Sequence, residues 1–118
     1  MYQDKFFRTW TGPFPFNESA VEQHAQASSG VYQILYQGEV VYIGISTSSI
    51  RDRLKKHVRG HGNWAAARRS SAAGYEFVYF LCDGKTAKQI ESNVVTLEKP
   101  PYNVKPEYKN FIDNITVH

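Results

Sequence analysis

Gly30-Val31-Tyr32-Gln33-Ile34-Leu35-Tyr36, then Gln37-Gly38, then Glu39-Val40-Val41-Tyr42-Ile43-Gly44-Ile45: this stretch decides the fold. Two runs rich in β-branched and aromatic residues flank a short polar turn with a glycine, the pattern of a β-hairpin. Two loop lengths compete. A two-residue loop, Gln37-Gly38, sets Tyr32 opposite Ile43 and sends Tyr32 and Tyr42 to different faces. A three-residue loop ends on Gly38, which accepts left-handed backbone, and pairs Leu35 with Glu39 and Tyr32 with Tyr42. That register gathers Val31, Leu35, Val41, Ile43 and Ile45 on one face, with Gln33 the polar intruder. Tyr32, Ile34, Tyr36, Val40, Tyr42 and Gly44 share the other. The cleaner face selects the three-residue loop, because burial of one face is what sets register. Taken alone, two tyrosines side by side are an ordinary cross-strand pair, stabilising by up to about 1 kcal/mol.

Outward from the hairpin the elements are mostly helical. Ser49-Ile50-Arg51-Asp52 resembles a capping box with Asp in place of Glu and opens a helix to about residue 59. Gly60-His61-Gly62 breaks it, and Asn63 starts a second helical stretch to about 71. Residues 75–82, aromatic and β-branched, read as a third strand. A helix over 86–98 places Ile90, Val94 and Leu97 at core spacing, and Pro100-Pro101 ends it. A short helical tail follows over about 107–114. Upstream, Asn17 caps a helix over about 18–27. Residues 1–16, with Tyr2, Phe6, Phe7 and Trp10 before Gly12-Pro13-Phe14-Pro15-Phe16, read as an irregular arm packed by its aromatics. The expectation is an α+β fold: a small three-stranded antiparallel sheet flanked by helices. One domain spans 1–118, with an arm and short helix over 1–29, a core over 30–103 and a tail over 104–118.

Composition narrows the function classes. The chain has 118 residues, 42% hydrophobic and 21% charged, which excludes disordered and collagenous classes. One cysteine, Cys82, excludes an internal disulfide framework and a Cys-cluster zinc site. No apolar run approaches the roughly 18 residues of a membrane span, and the first sixteen residues never settle into a signal-peptide core. A soluble, cytoplasmic protein is expected. Charge is more telling. Residues 51–69 carry seven Lys and Arg against Asp52 alone, a net +6, while the rest of the chain nets −3. A basic face on a mildly acidic domain is the footprint of a phosphate-backbone reader, although a solvated helix face gives the same pattern.

Read in order, the pieces become specific. Gly30-Val31-Tyr32 and Tyr42-Ile43-Gly44 resemble the paired signature of the GIY-YIG nucleases, with Val31 a familiar variant. Arg53-Leu54-Lys55-Lys56-His57 sits where that family has a helical arginine and, in many members, a histidine one turn later. Glu91, followed by Pro100-Pro101-Tyr102-Asn103, matches its helical glutamate and its asparagine. The resemblance covers about two-thirds of the chain. It departs at Ile45, where many members place a lysine that assists the tyrosine base. His57, at i+4 from Arg53 on one flank of the helix, is the natural replacement.

The resemblance implies a metal-dependent endonuclease acting on DNA, with single-stranded, duplex and branched forms all open to it. Tyr32 would be the general base, passing its proton to His57, and Tyr42 would orient the water or bind the scissile phosphate. A free phenol, with a pKa near about 10, is a poor base at neutral pH, and nearby cations must favour its ionisation. Arg53, always charged and fork-shaped, suits non-bridging phosphate oxygens. Glu91 would be the protein ligand of Mg²⁺ or Mn²⁺, with waters and substrate oxygens completing the octahedron. Glu98 is the competing carboxylate and lacks the family spacing to Asn103. Asn103 would tie its loop to the tyrosine face. Lys55, Lys56, Arg59, Arg68 and Arg69 would follow the nucleic-acid backbone, and Trp64 and Tyr75 could stack on bases or pack. No organic cofactor or membrane is implied, and targeting is left to a protein partner or a homodimer. The alternative is a catalytically silent nucleic-acid-binding module on the same scaffold, against which Glu91 argues, since pure binding needs no carboxylate beside a phosphate.

Overall fold

A computed structural model describes residues 2–59 and 74–103. The elements are β1 (Tyr2–Gln3), β2 (Thr9–Pro15), α1 (Glu18–His24), β3 (Gly30–Tyr36), β4 (Glu39–Ser46), α2 (Ile50–Val58), β5 (Tyr75–Leu81), α3 (Gly84–Glu98) and a 3₁₀ turn (Pro101–Asn103). The helical stretches expected over 63–71 and 107–114, with Trp64, Arg68 and Arg69, lie outside the described residues. Among the described residues no helix is long and apolar enough to cross a membrane.

The sheet has five antiparallel strands in the order β1-β2-β5-β3-β4, not three. The two additional strands come from the segment expected to be an irregular arm. Its folding depends on Asp4, which is buried and accepts from the amides of Phe6 (2.8 Å) and Arg8 (2.9 Å) and from the indole N–H of Trp10 (2.8 Å). That one carboxylate closes the turn between β1 and β2 and draws Trp10 into the core. β2 then pairs with β5, Phe14 facing Phe77, across an irregularity between Thr11 and Phe14. Pro13 and Pro15, which lack an amide donor, are tolerated at and beyond such a break.

β3 is an interior strand between β5 and β4, and Gly30 to Leu35 are buried on both of its faces. One face joins Tyr32, Ile34, Tyr42 and Phe77 to Ala20 and Val21 of α1 and to Ile50 and Leu54 of α2. The opposite face joins Val31, Leu35, Ile43, Val78 and Trp10 to Ala87, Ile90 and Val94 of α3. Leu97, expected in that core, is 66% exposed, so the buried stripe of α3 begins a turn earlier, at Ala87. The caps fall where the sequence places them: Asn17 accepts from Ala20 N–H and Ser49 from Asp52 N–H. Helix α1 ends at His24, three residues early, because the carbonyls of Gln26 and Ser28 accept the amides of Arg51 and Ile50.

The hairpin resolves its two registers in a third way. Its loop has two residues, Gln37 (φ 53°) and Gly38 (φ 82°), both left-handed, so Tyr36 pairs with Glu39 and Leu35 with Val40. A bulge then absorbs one residue, and Ile34 pairs with Tyr42 and Tyr32 with Gly44. Tyr32 is therefore diagonal to Tyr42 rather than opposite it, and Val40 and Val41 exchange the faces expected of them. The bulge reconciles the tight turn with one face for both tyrosines.

This register explains Gly44. A Cβ built there would overlap the Tyr32 hydroxyl oxygen and Cζ, so the phenol lies directly on the glycine backbone. Because the Tyr32 ring is wholly buried, it has little room to retreat. Gly44→Ala is expected to cost about 1–3 kcal/mol through overpacking, read as a lower melting temperature together with a changed tyrosine near-UV dichroism. A variant that melts and absorbs like the wild type would contradict the close packing.

Candidate active site

The site is built around the hydroxyl of Tyr32. β3 carries it through the middle of the sheet, and α2 crosses above with Arg53 and His57 one helical turn apart. Tyr32 Oη and His57 Nε2 share a buried hydrogen bond of 2.7 Å. The Arg53 guanidinium donates to the same oxygen, and the Tyr42 hydroxyl is hydrogen-bonded to it as well. Ring centroids lie 6.3 Å apart for Tyr32 and Tyr42, 5.6 Å for Tyr32 and His57, and 5.4 Å for Tyr42 and His57. His57 is 2% exposed, whereas Arg53 reaches the solvent edge. Two phenols, an imidazole and a guanidinium thus converge where the sequence expected them.

Electrostatics set the character of the group. Burial pushes the Tyr32 phenol far above the ordinary tyrosine range, with the Tyr42 phenol adding to the rise. The hydrogen bond and the charge of Arg53 pull the other way, and the Glu91 carboxylate raises it further. Burial also raises Tyr42, against the charge of Arg53. The hydrogen bond from Arg53 to Tyr32, followed by the charge of that phenol, holds the guanidinium proton more firmly still. Tyr32 is accordingly a neutral phenol at rest.

Glu91, from α3 on the opposite face of the sheet, interacts electrostatically with Arg53, Tyr32 and Tyr42. It is partly buried, and desolvation raises its pKa against the attraction of Arg53 and Lys88. Among the described residues no group of three or more His, Cys, Asp or Glu side chains converges. One half-buried carboxylate fits a hard octahedral ion that keeps most of its waters, and it does not fit zinc. Glu98, the rival carboxylate, is paired instead with Lys5 of the N-terminal segment at 3.5 Å.

Asn103 reaches the edge of the sheet. Its Oδ1 accepts from Ile43 N–H (2.8 Å) and its Nδ2 donates to Ile43 C=O (2.7 Å), so the amide pairs with the outer edge of β4 as another strand would. This fastens the turn after Pro100 to the centre of Tyr42-Ile43-Gly44.

The remaining cations divide. Lys55 and Arg59 are ion-paired with Glu22 and Glu18 of α1. Lys56 is exposed and lines an open groove of about 250 Å³ with Ile45, Ser46, Thr47, Ser48, Ser49, Asp52 and Arg53. Tyr75 is buried against Tyr36, ring centroids 4.7 Å apart. Sequence reasoning did not find the groove or the pairing partners on α1. Of the hydroxyl-bearing run Ser46-Thr47-Ser48-Ser49, the sequence pattern singles out only Ser49, as a cap.

Comparison with known proteins bears on the family and the fold. No curated protein matches the chain. Among solved structures, the GIY-YIG N-terminal endonuclease domain of UvrC from Thermotoga maritima bound to magnesium is similar at a TM-score of 0.57 and 22% identity, covering 71% of this chain and 96% of that one. A point mutant of the same domain, bound to its catalytic divalent cation, gives 0.57 and 20% identity over 72% and 96%. At that identity the likeness is one of fold. The family model described as "GIY-YIG catalytic domain" matches residues 28–103, well over half of the chain. The chain belongs to the GIY-YIG family.

Proposed function

We propose that this protein is a metal-dependent endonuclease that hydrolyses phosphodiester bonds in DNA. The observation that carries the reading is the hydrogen bond between Tyr32 and His57, on a phenol that also interacts with Arg53 and feels the charge of Glu91. A binding module has no use for a buried acid–base pair facing a carboxylate. The UvrC domain is described as an endonuclease domain with a catalytic divalent cation, magnesium in one case, which supports the same class of chemistry here.

The raised phenol dictates how the base works. A free phenolate is costly in this site, so Tyr32 acts as a relay. Its oxygen takes a proton from the attacking water while its own proton passes to the neutral Nε2 of His57. The water oxygen bonds to phosphorus, and the bond from phosphorus to the leaving oxygen breaks, with a solvent proton neutralising the departing alkoxide. Arg53 holds a non-bridging oxygen as charge builds on the phosphoryl group. Tyr42, hydrogen-bonded to Tyr32, orients the water. Glu91 would hold Mg²⁺ or Mn²⁺, which would supply positive charge where charge builds on the phosphate. Asn103 positions β4, and Lys56 adds a backbone contact.

A panel of labelled single-stranded, duplex and branched DNA, with RNA beside it, tests the reading under Mg²⁺ and Mn²⁺. Metal-dependent cleavage of a DNA member is expected; binding without cleavage would leave a silent module. Glu91→Gln should abolish turnover while preserving the fold. Because desolvation raises the Glu91 pKa, its ionised form opposes folding above the ordinary carboxylate pKa, and that cost disappears at low pH. Glu91→Gln should therefore melt at or above the wild-type temperature at neutral pH without metal. Retained metal-dependent turnover would remove Glu91 from its role.

For the same reason protons compete with the ion at higher pH than at an exposed glutamate. Titrations of Mn²⁺ across the acid range should show affinity already falling above the normal glutamate pKa of 4.5. Affinity that stays flat down to that value would place the ion elsewhere.

A further inference from the structure

The cations of α2 lie on two flanks, and the fold treats them differently. On the flank facing α1, Lys55 is paired with Glu22, and Arg59 donates to Glu18, with Nε at 2.7 Å. Two carboxylates there neutralise two of the three cations. Arg51 is drawn the same way, its Nε donating to the Ala25 carbonyl at 2.9 Å. On the other flank Arg53 and Lys56 stand at i and i+3, and among the described residues neither has a carboxylate within ion-pair distance. Both line the groove floored by the β4–α2 loop, where Asp52 is the one acidic member.

The loop is built before any ligand arrives. Ser46 Oγ accepts the amides of Ser48 (3.3 Å) and Ser49 (2.9 Å), and Ser49 Oγ accepts the amide of Asp52 (3.2 Å). Both hydroxyls are recorded only as acceptors among the described residues, so each proton is left to donate. Hydroxyl donors beside two cations form a site for an anionic oxygen. Arg53 connects this groove to Tyr32, since its guanidinium donates to the phenol while the side chain forms part of the groove wall.

We propose that the groove between Ser46–Ser49 and α2 seats a second phosphate of the bound strand, next to the scissile one, and that α1 confines the strand to this flank by holding Lys55 and Arg59 on its own carboxylates. The proposal rests on the nuclease reading and deepens it. It narrows the basic window to Arg53 and Lys56 among the described residues. The confining helix, Glu18–His24, lies outside residues 28–103 that match the family, so the restriction belongs to this chain's own N-terminal segment.

The test is equilibrium binding of the full chain to a fluorescein-labelled single-stranded DNA oligonucleotide, by anisotropy, in EDTA and across a salt series. Lys56→Met should weaken binding and flatten the log-affinity against log-salt slope by about 0.7, the value for one phosphate contact on a single strand, and Lys56→Arg should restore it. Lys55→Met and Arg59→Met should leave the slope unchanged. The Glu18→Gln, Glu22→Gln double variant should steepen it by about 0.7 for each cation released. Equal losses from Lys55→Met and Lys56→Met, or no loss from Lys56→Met, would overturn the proposal while wild-type cleavage still upheld the nuclease reading. A wild-type chain that binds no oligonucleotide would remove both.

Discussion

Everything in this site depends on one buried oxygen. The Tyr32 hydroxyl lies in the middle of the sheet and is reached by an imidazole, a guanidinium and a second phenol. Water is excluded there, so each hydrogen bond is stronger than at a surface and an unmade one would be expensive. The surroundings follow from that constraint. Gly44 has no side chain because the phenol occupies its space. α2 must bring His57 and Arg53 down on one flank, and its capping serine and the carbonyls of Gln26 and Ser28 fix where it starts.

The same burial decides the chemistry. A solvated tyrosine beside a cation could lose its proton to water and wait as a phenolate. This one is pushed so far upward that the neutral form dominates, even with Arg53 donating to it. On the proposed reading, proton movement is concerted, into and out of the same oxygen, with His57, hydrogen-bonded to it, as the acceptor. The chain has isoleucine at position 45, where relatives often carry a lysine helper, and the histidine stands on the helix instead. The metal side of that reading is correspondingly sparse, a single carboxylate from α3.

Much of this was legible because it is local. Two triplets, a pair at i and i+4, and a glutamate and an asparagine twelve residues apart are patterns that need no tertiary knowledge. What escaped was non-local. Nothing in Tyr2 to Pro15 alternates as a strand should; those residues pair because Asp4 satisfies three donors at once after burial. The cleaner face selects the three-residue loop, whereas the chain makes the two-residue one and adds a bulge, which keeps the tight turn and the common face together. Lys55 and Arg59 read as free cations in sequence, since the glutamates that hold them are more than thirty residues away. Leu97 fits the helical period of α3 but lies beyond the edge of the sheet it would have packed against.

The most direct test of the account is the single-turnover cleavage rate of Tyr32→Phe under saturating metal, with affinity for the same DNA measured alongside. Phenylalanine keeps the ring that packs on Gly44 and removes only the oxygen. The account predicts a rate lower by on the order of 100-fold or more, with affinity essentially that of the wild type. A Tyr32→Phe enzyme cleaving within a few-fold of the wild-type rate would contradict it, because the buried hydroxyl would then be packing and not chemistry.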